Sequence, residues 1–125
     1  MKKILILENG KSISTMINSQ FKSEDYKIFL SGNHLGKNGL RNHFYDLIIA
    51  DLTSIKKEKV ELLMQLKNSS VVSMVPFILI TSRSKDKLEE QFSFFDYYLT
   101  KPFTMNELSV LIKKILNHND NISPW

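Results

Sequence analysis

Five short apolar runs alternate along the chain with segments whose apolar residues recur every three or four positions. Lys3 to Leu7 is the first run and reads as a strand closed by the polar turn Glu8-Asn9-Gly10. Ile13, Met16, Ile17 and Phe21 follow at helical spacing, predicting an amphipathic helix over about residues 11 to 23. Tyr26 to Leu30 is a second strand. The third run, Phe44 to Leu52, is almost unbroken and halts at Asp51, the pattern of a central strand buried on both faces. Val60, Leu63, Met64 and Lys67 share one line of a helix predicted over about 55 to 68. Phe77 to Ile80 is a fourth strand, entered through Pro76 and stopped at Thr81-Ser82. Leu88, Phe92 and Phe95 mark a helix from roughly 85 to 94, and Asp96 to Thr100 a fifth strand. A last helix starts near 104, where Thr104 and Glu107 have capping-box spacing, and its core face is Leu108, Leu111, Ile112 and Ile115. Between Ser31 and His43, three glycines at 32, 36 and 39 disfavour all but a short helix. Strands alternating with helices from end to end imply right-handed crossovers and a five-stranded parallel sheet covered on both faces.

The length of 125 residues suits one domain, read here as residues 1–118, with the polar, Pro-containing 119–125 as a tail or the start of a linker. No cysteine is present, which excludes a disulfide framework, thiol catalysis and thiolate metal sites. The run Ile4 to Leu7 is too brief for a signal-peptide core or a membrane span, so no membrane association is expected and the cytoplasm is the default compartment. A net charge of +4 raises the question of nucleic acid, but the basic residues are scattered. Even the Lys56, Lys57, Lys59 group is interrupted by Glu58 and Glu61, so no direct nucleic-acid binding is expected. His34, His43 and His118 fall in different elements and form no obvious metal set.

The chemistry collects where the strands end. Glu8-Asn9 follows the first strand, Asp51 the third, Thr81 the fourth and Lys101 the fifth. A parallel sheet puts all these ends on one edge, the edge where open α/β sheets bind ligands. Carboxylates that hold Mg²⁺, an ammonium and a hydroxyl suit phosphoryl chemistry.

With Lys2-Lys3-Ile4-Leu5-Ile6, Tyr45-Asp46-Leu47-Ile48-Ile49-Ala50-Asp51, Ile80-Thr81-Ser82-Arg83 and Tyr98-Leu99-Thr100-Lys101-Pro102-Phe103 in register, the chain resembles the receiver domain of two-component response regulators over essentially its whole length. The resemblance implies a flavodoxin-like, doubly wound (βα)5 fold with strand order 2-1-3-4-5. It implies that Asp51 accepts a phosphoryl group from a histidine kinase or phosphotransfer protein, with Lys101 and Thr81 contacting that group and Tyr98 changing rotamer as a switch. Glu8, Asn9, Asp51 and Thr53 would be the Mg²⁺ positions, and Lys101-Pro102 a cis peptide. Such a domain turns over no external substrate; at most it phosphorylates and dephosphorylates itself.

The family carries an acidic pair after the first strand, and here its second, directly ligating member is Asn9. Mg²⁺ prefers charged oxygen, so a weakened metal site is expected. The loop after Asp51 lacks the usual Pro and Gly, and Phe94-Phe95 replaces small residues before the fifth strand. Phe92, Phe94, Phe95 and Tyr97 are too many to point inward together, which makes region 85–104 a candidate homodimer or partner surface. Two other readings stay open. One is a phosphorylation-independent interaction or dimerisation module in which Lys101 permanently neutralises Asp51. The other is a flavodoxin-like redox protein, disfavoured because Glu8 in the first loop would repel a phosphate.

Overall fold

The computed structural model describes residues 2–8, 11–21, 26–30, 45–51, 61, 63–65, 67–68, 74–82 and 93–120, with 118–120 as backbone only. Strands β1 (Lys2–Leu7), β2 (Tyr26–Leu30), β3 (Leu47–Asp51), β4 (Phe77–Thr81) and β5 (Tyr97–Thr100) form one sheet in the order β2-β1-β3-β4-β5. Every pairing is parallel, with Ile4 opposite Leu47, Ile48 opposite Phe77 and Ile78 opposite Tyr97. This is the flavodoxin-like arrangement, with the order reversing between β1 and β3. Helices α1 (Ser12–Gln20) and α2 (Met105–Asp120) pack against each other. Glu61, Leu63, Met64, Gln65 and Lys67 are also helical, within the segment predicted from periodicity.

Strand alternation sorts the core into two layers. Ile4, Ile6, Leu47, Ile49, Ile78 and Ile80 meet Ile13 and Ile17 of α1 and Leu108, Ile112, Ile115 and Leu116 of α2. Leu5, Leu7, Ile48, Ala50, Phe77 and Leu79 form the opposite layer with Leu63 and Phe95. β3 and β4 are buried at every position, as a central parallel strand must be when helices cover both faces. β2 and β5, at the edges, are only half-buried.

Strand and helix ends differ from the sequence expectation for identifiable reasons. The apolar run reaches back to Phe44, yet β3 begins at Leu47, because Asp46 is used as a clasp. Its N–H donates to the Lys3 carbonyl at 2.8 Å, and its Oδ2 accepts from the Lys3 N–H at 2.7 Å. Asp96 does the same before β5, donating to the Phe77 carbonyl at 3.0 Å and accepting from the Phe77 N–H at 2.8 Å. In both cases an aspartate directly before a strand satisfies backbone groups at the start of its neighbour. Helix α1 ends at Gln20 and not near 23, because Phe21 leaves helical geometry while its N–H still bonds the Ile17 carbonyl at 2.8 Å. The Phe21 ring then meets Tyr26 edge-on at 4.7 Å, tying the end of α1 to the start of β2.

Phe94, expected at the end of a helix, lies in a turn, where it stacks on Phe95 at 4.3 Å and meets the edge of Phe77 at 6.1 Å. Phe95 is buried in the core, and Phe94 and Tyr97 pack against it while staying partly exposed; Phe92 lies outside the described residues. Helix α2 opens with the expected reciprocal box, Thr104 N–H to Glu107 Oε1 and Glu107 N–H to Thr104 Oγ1, each 3.0 Å. It runs to Asp120, two residues into the segment read from sequence as a tail, and the fully buried Leu116 anchors its last turns.

Lys67 stands on the apolar line of its helix, and its ammonium has a specific use. It donates to the Val75 carbonyl and to Asp96 Oδ2, the latter at 2.7 Å, and lies 4.6 Å from the centre of the Phe77 ring. One cation thus ties the helix to the entries of β4 and β5. Asp96→Ala is expected to cost about 1–3 kcal/mol in urea unfolding, since it removes acceptors from both Lys67 and the Phe77 N–H. The lower half of that range is favoured because the Asp96 side chain is 39% exposed and water replaces part of the loss. A midpoint unchanged from the parent would contradict the clasp.

Candidate functional site

The carboxyl ends of β1, β3, β4 and β5 bring Glu8, Asp51, Thr81 and Lys101 to one rim. Asp51 is the last residue of β3 and is 3% exposed. Lys101 follows β5 directly, and its backbone N–H donates to the Thr81 carbonyl at 2.7 Å, continuing the β4–β5 ladder by one bond. That bond positions the lysine so that its ammonium reaches Asp51 Oδ2 at 3.0 Å. The Lys101 side chain keeps 34% of its surface and that of Asp51 only 3%, so in this pair the acid is inside and the cation toward solvent. Thr81, the last residue of β4, is buried. The Lys101-Pro102 peptide is cis.

Glu8 is placed differently from the sequence expectation. It is 3% exposed, and its carboxylate accepts from the Ile13 N–H at 3.1 Å on Oε1 and from the Ser14 N–H at 2.9 Å on Oε2. The Ser12 hydroxyl lies 3.3 Å from Oε1. Both carboxylate oxygens therefore face the first turn of α1. No sequence rule points to this contact, because the capping-box spacing places an acid three residues inside a helix, whereas Glu8 reaches in from the preceding strand. The clasping aspartates did leave a signal, an aromatic-Asp pair directly before two apolar runs, Tyr45-Asp46 and Phe95-Asp96.

The expected metal positions Asn9 and Thr53 lie outside the described residues. Among the described residues no group of three or more His, Cys, Asp or Glu could hold a metal ion. The donor chemistry still fits Mg²⁺, a hard cation that usually keeps several waters and takes only one or two carboxylates. Asp51, at the end of β3, is the described carboxylate that would hold it.

Tyr98 lies in β5 opposite Leu79 and is packed, half-buried, against the Leu79 layer. Burial, with the charge of Asp96 adding to it, raises its phenol above its ordinary value. Burial alone raises Tyr45. A tyrosine whose folded pKa is raised stays protonated to higher pH in the native state than in the unfolded chain. Stability from it is therefore complete below about pH 10, the ordinary value, and is lost as pH climbs through the folded pKa. Stability measured across that alkaline window should fall less steeply in Tyr98→Phe than in the parent, and an identical slope would refute the shift.

No family model matches the chain. Individual relatives do. Response regulator ArlR of Staphylococcus aureus is 30% identical over 93% of this chain and 53% of its own length. A crystal structure of a response regulator receiver modulated diguanylate cyclase from Pelobacter carbinolicus is 30% identical, with 96% of each chain covered and a TM-score of 0.72. The receiver domain of sensor histidine kinase PA1611 from Pseudomonas aeruginosa, solved with a magnesium ion in its active site cleft, is 21% identical, covering 93% of this chain and 98% of its own, with a TM-score of 0.71. The chain belongs to the response regulator receiver domains of two-component signalling. It spans about half the length of curated relatives such as ArlR. No helix among the described residues is long and apolar enough to cross a membrane.

Proposed function

We propose that this domain receives a phosphoryl group on Asp51 and that its Mg²⁺ site is weak. The observation that carries the reading is the 3.0 Å contact between Lys101 and a buried Asp51 at the carboxyl end of the central strand. A carboxylate oxygen of Asp51 attacks phosphorus, the bond from phosphorus to the donor breaks, and the acyl phosphate remains on β3. Lys101 sits where it can neutralise charge building on the phosphoryl oxygens. Thr81, ending the adjacent strand, is the hydroxyl assigned to the same group. A bound Mg²⁺ would supply further charge neutralisation and orientation for the incoming group. The receiver domain from Pseudomonas aeruginosa solved with magnesium supports that cation here. The donor is assigned to a histidine kinase or phosphotransfer protein, the setting is cytoplasmic, and Tyr98 is the reporter of the phosphorylated state.

The weak metal site follows from Asn9, which stands where the family has its second acid. Asn9→Asp is expected to tighten Mg²⁺ binding by about 10-fold or more, read by titration. Unaltered affinity would place the defect elsewhere. The proposal as a whole is tested by intact-mass spectrometry after incubation with a small phosphodonor and Mg²⁺. One phosphoryl group should be gained and map to Asp51; no adduct under any donor condition would overturn it.

The Lys101–Asp51 pair also favours a second reading, an interaction module whose site is held closed by that ion pair without phosphorylation. Under it, Asp51→Ala would leave binding to a partner or a second copy unaltered, whereas a phosphoryl-dependent receiver would lose its regulated change.

A further inference from the structure

We infer that Glu8 is a positioning residue, whose carboxylate caps α1 from the end of β1 and stays on that helix when a cation occupies the rim. The inference rests on the receiver reading only for placing a cation there. The first N–H groups of any helix have no partner within it. In α1 the usual remedies are missing: the residue at the cap is Lys11, its side chain makes no capping bond, and the first turn holds no acid. Nor could another side chain at 11 easily take over, since its backbone, at φ −128° and ψ 11°, is not in the extended conformation from which an N-cap reaches back. Glu8 fills the gap from outside, one oxygen on the Ile13 N–H and the other on the Ser14 N–H. At 3% exposure the carboxylate has lost most of its water, and those N–H groups, at the positive end of the helix dipole, are what compensates it.

Direct ligation of a cation by Glu8 would pull charge, and the carboxylate itself, away from the Ile13 and Ser14 N–H groups that compensate its burial. Asp51 is engaged instead by the ammonium of Lys101 at the carboxyl rim of the sheet. The division of labour is that Asp51 meets the cation of Lys101 and Glu8 fixes the start of α1. Ile13 and Ser14 are both buried, and Ile13 belongs to the core layer shared with β1 and β3, so holding their backbone also holds the packing of α1 on those strands.

Amide hydrogen exchange, followed by NMR on the whole chain, reads the cap directly. In the metal-free protein, Glu8→Ala is expected to speed exchange at Ile13 and Ser14 by roughly 3- to 30-fold, with strand amides of β3 and β4 unchanged. Glu8→Gln, which keeps one acceptor oxygen and guards against a variant that fails to fold, should show a smaller loss. Unchanged exchange in these variants would overturn the inference. In the parent, saturating Mg²⁺ should shift resonances around Asp51 while leaving protection at Ile13 and Ser14 intact; faster exchange there on adding Mg²⁺ would show Glu8 leaving the helix for the cation and would equally overturn it. A protein without any Mg²⁺ response counts against the receiver chemistry, and the metal-free comparison then decides the role of Glu8 by itself.

Discussion

Asp51→Asn is expected to take up no phosphoryl group under conditions that label the parent, and Lys101→Ala to be labelled roughly 10²- to 10³-fold more slowly. The two effects differ in kind. The first substitution preserves the shape of the strand end, and the new amide can still accept a hydrogen bond from Lys101, but it has no anionic oxygen with which to attack phosphorus. The fold should survive, since β3 is held through backbone pairing to β1 and β4 and through its buried aliphatic residues. Lys101→Ala leaves the nucleophile in place and removes the cation that stands 3.0 Å from it. Intact-mass time courses distinguish the cases: an end-point of zero for Asp51→Asn and a slow rise for Lys101→Ala. Equal labelling rates for Lys101→Ala and the parent would mean that the ion pair serves the resting structure only, as in the interaction-module reading.

The largest stability effect is expected at Phe77. Its side chain is fully buried at the entry of β4, with the rings of Phe94 and Phe95 at 6.1 and 6.0 Å and the Lys67 ammonium over its face. Phe77→Ala removes the hub of that cluster and leaves a cavity under a turn, at a cost of about 3–5 kcal/mol. Against a typical total of about 5–15 kcal/mol this is a large share, and a fall in Tm on the order of 10–20 °C should be seen by calorimetry. Phe77→Leu, which fills most of the space but gives up the ring contacts, should lie well short of that. A Phe77→Ala protein as stable as the parent would mean that the second core layer is not cooperative with the first.

The aromatic residues before β5 show how packing can resolve an ambiguity in pattern. A run of Phe and Tyr near a short helix reads as surplus hydrophobicity, and a partner surface is the natural inference from sequence. In three dimensions Phe94 and Phe95 stack on each other and Tyr97 turns to the opposite layer, so these residues are shared between two faces of the sheet. Period and composition cannot show this, because the division depends on where a turn places the chain before the strand begins.

The sequence by itself determined the sheet and its rim. Apolar runs of strand length separated by helical periodicity leave few topologies, and a polar residue at the end of each run in a parallel sheet must reach the same edge. Asp51, Thr81 and Lys101 were legible for that reason, as was the Thr104–Glu107 cap, whose partners lie three residues apart. What only the tertiary structure decided is how the charged groups are spent. Asp46, Asp96 and Glu8 are all carboxylates beside strands; an aromatic residue directly before Asp46 and Asp96 marks those two, but no local pattern names the donors that any of the three takes. Asp46 and Asp96 satisfy the N–H groups of Lys3 and Phe77, 43 and 19 residues away in the chain, and Glu8 satisfies the start of α1. Each carboxylate takes the nearest backbone donors, which for the buried Glu8 also offset its desolvation, and which donors are near is a property of the folded chain alone.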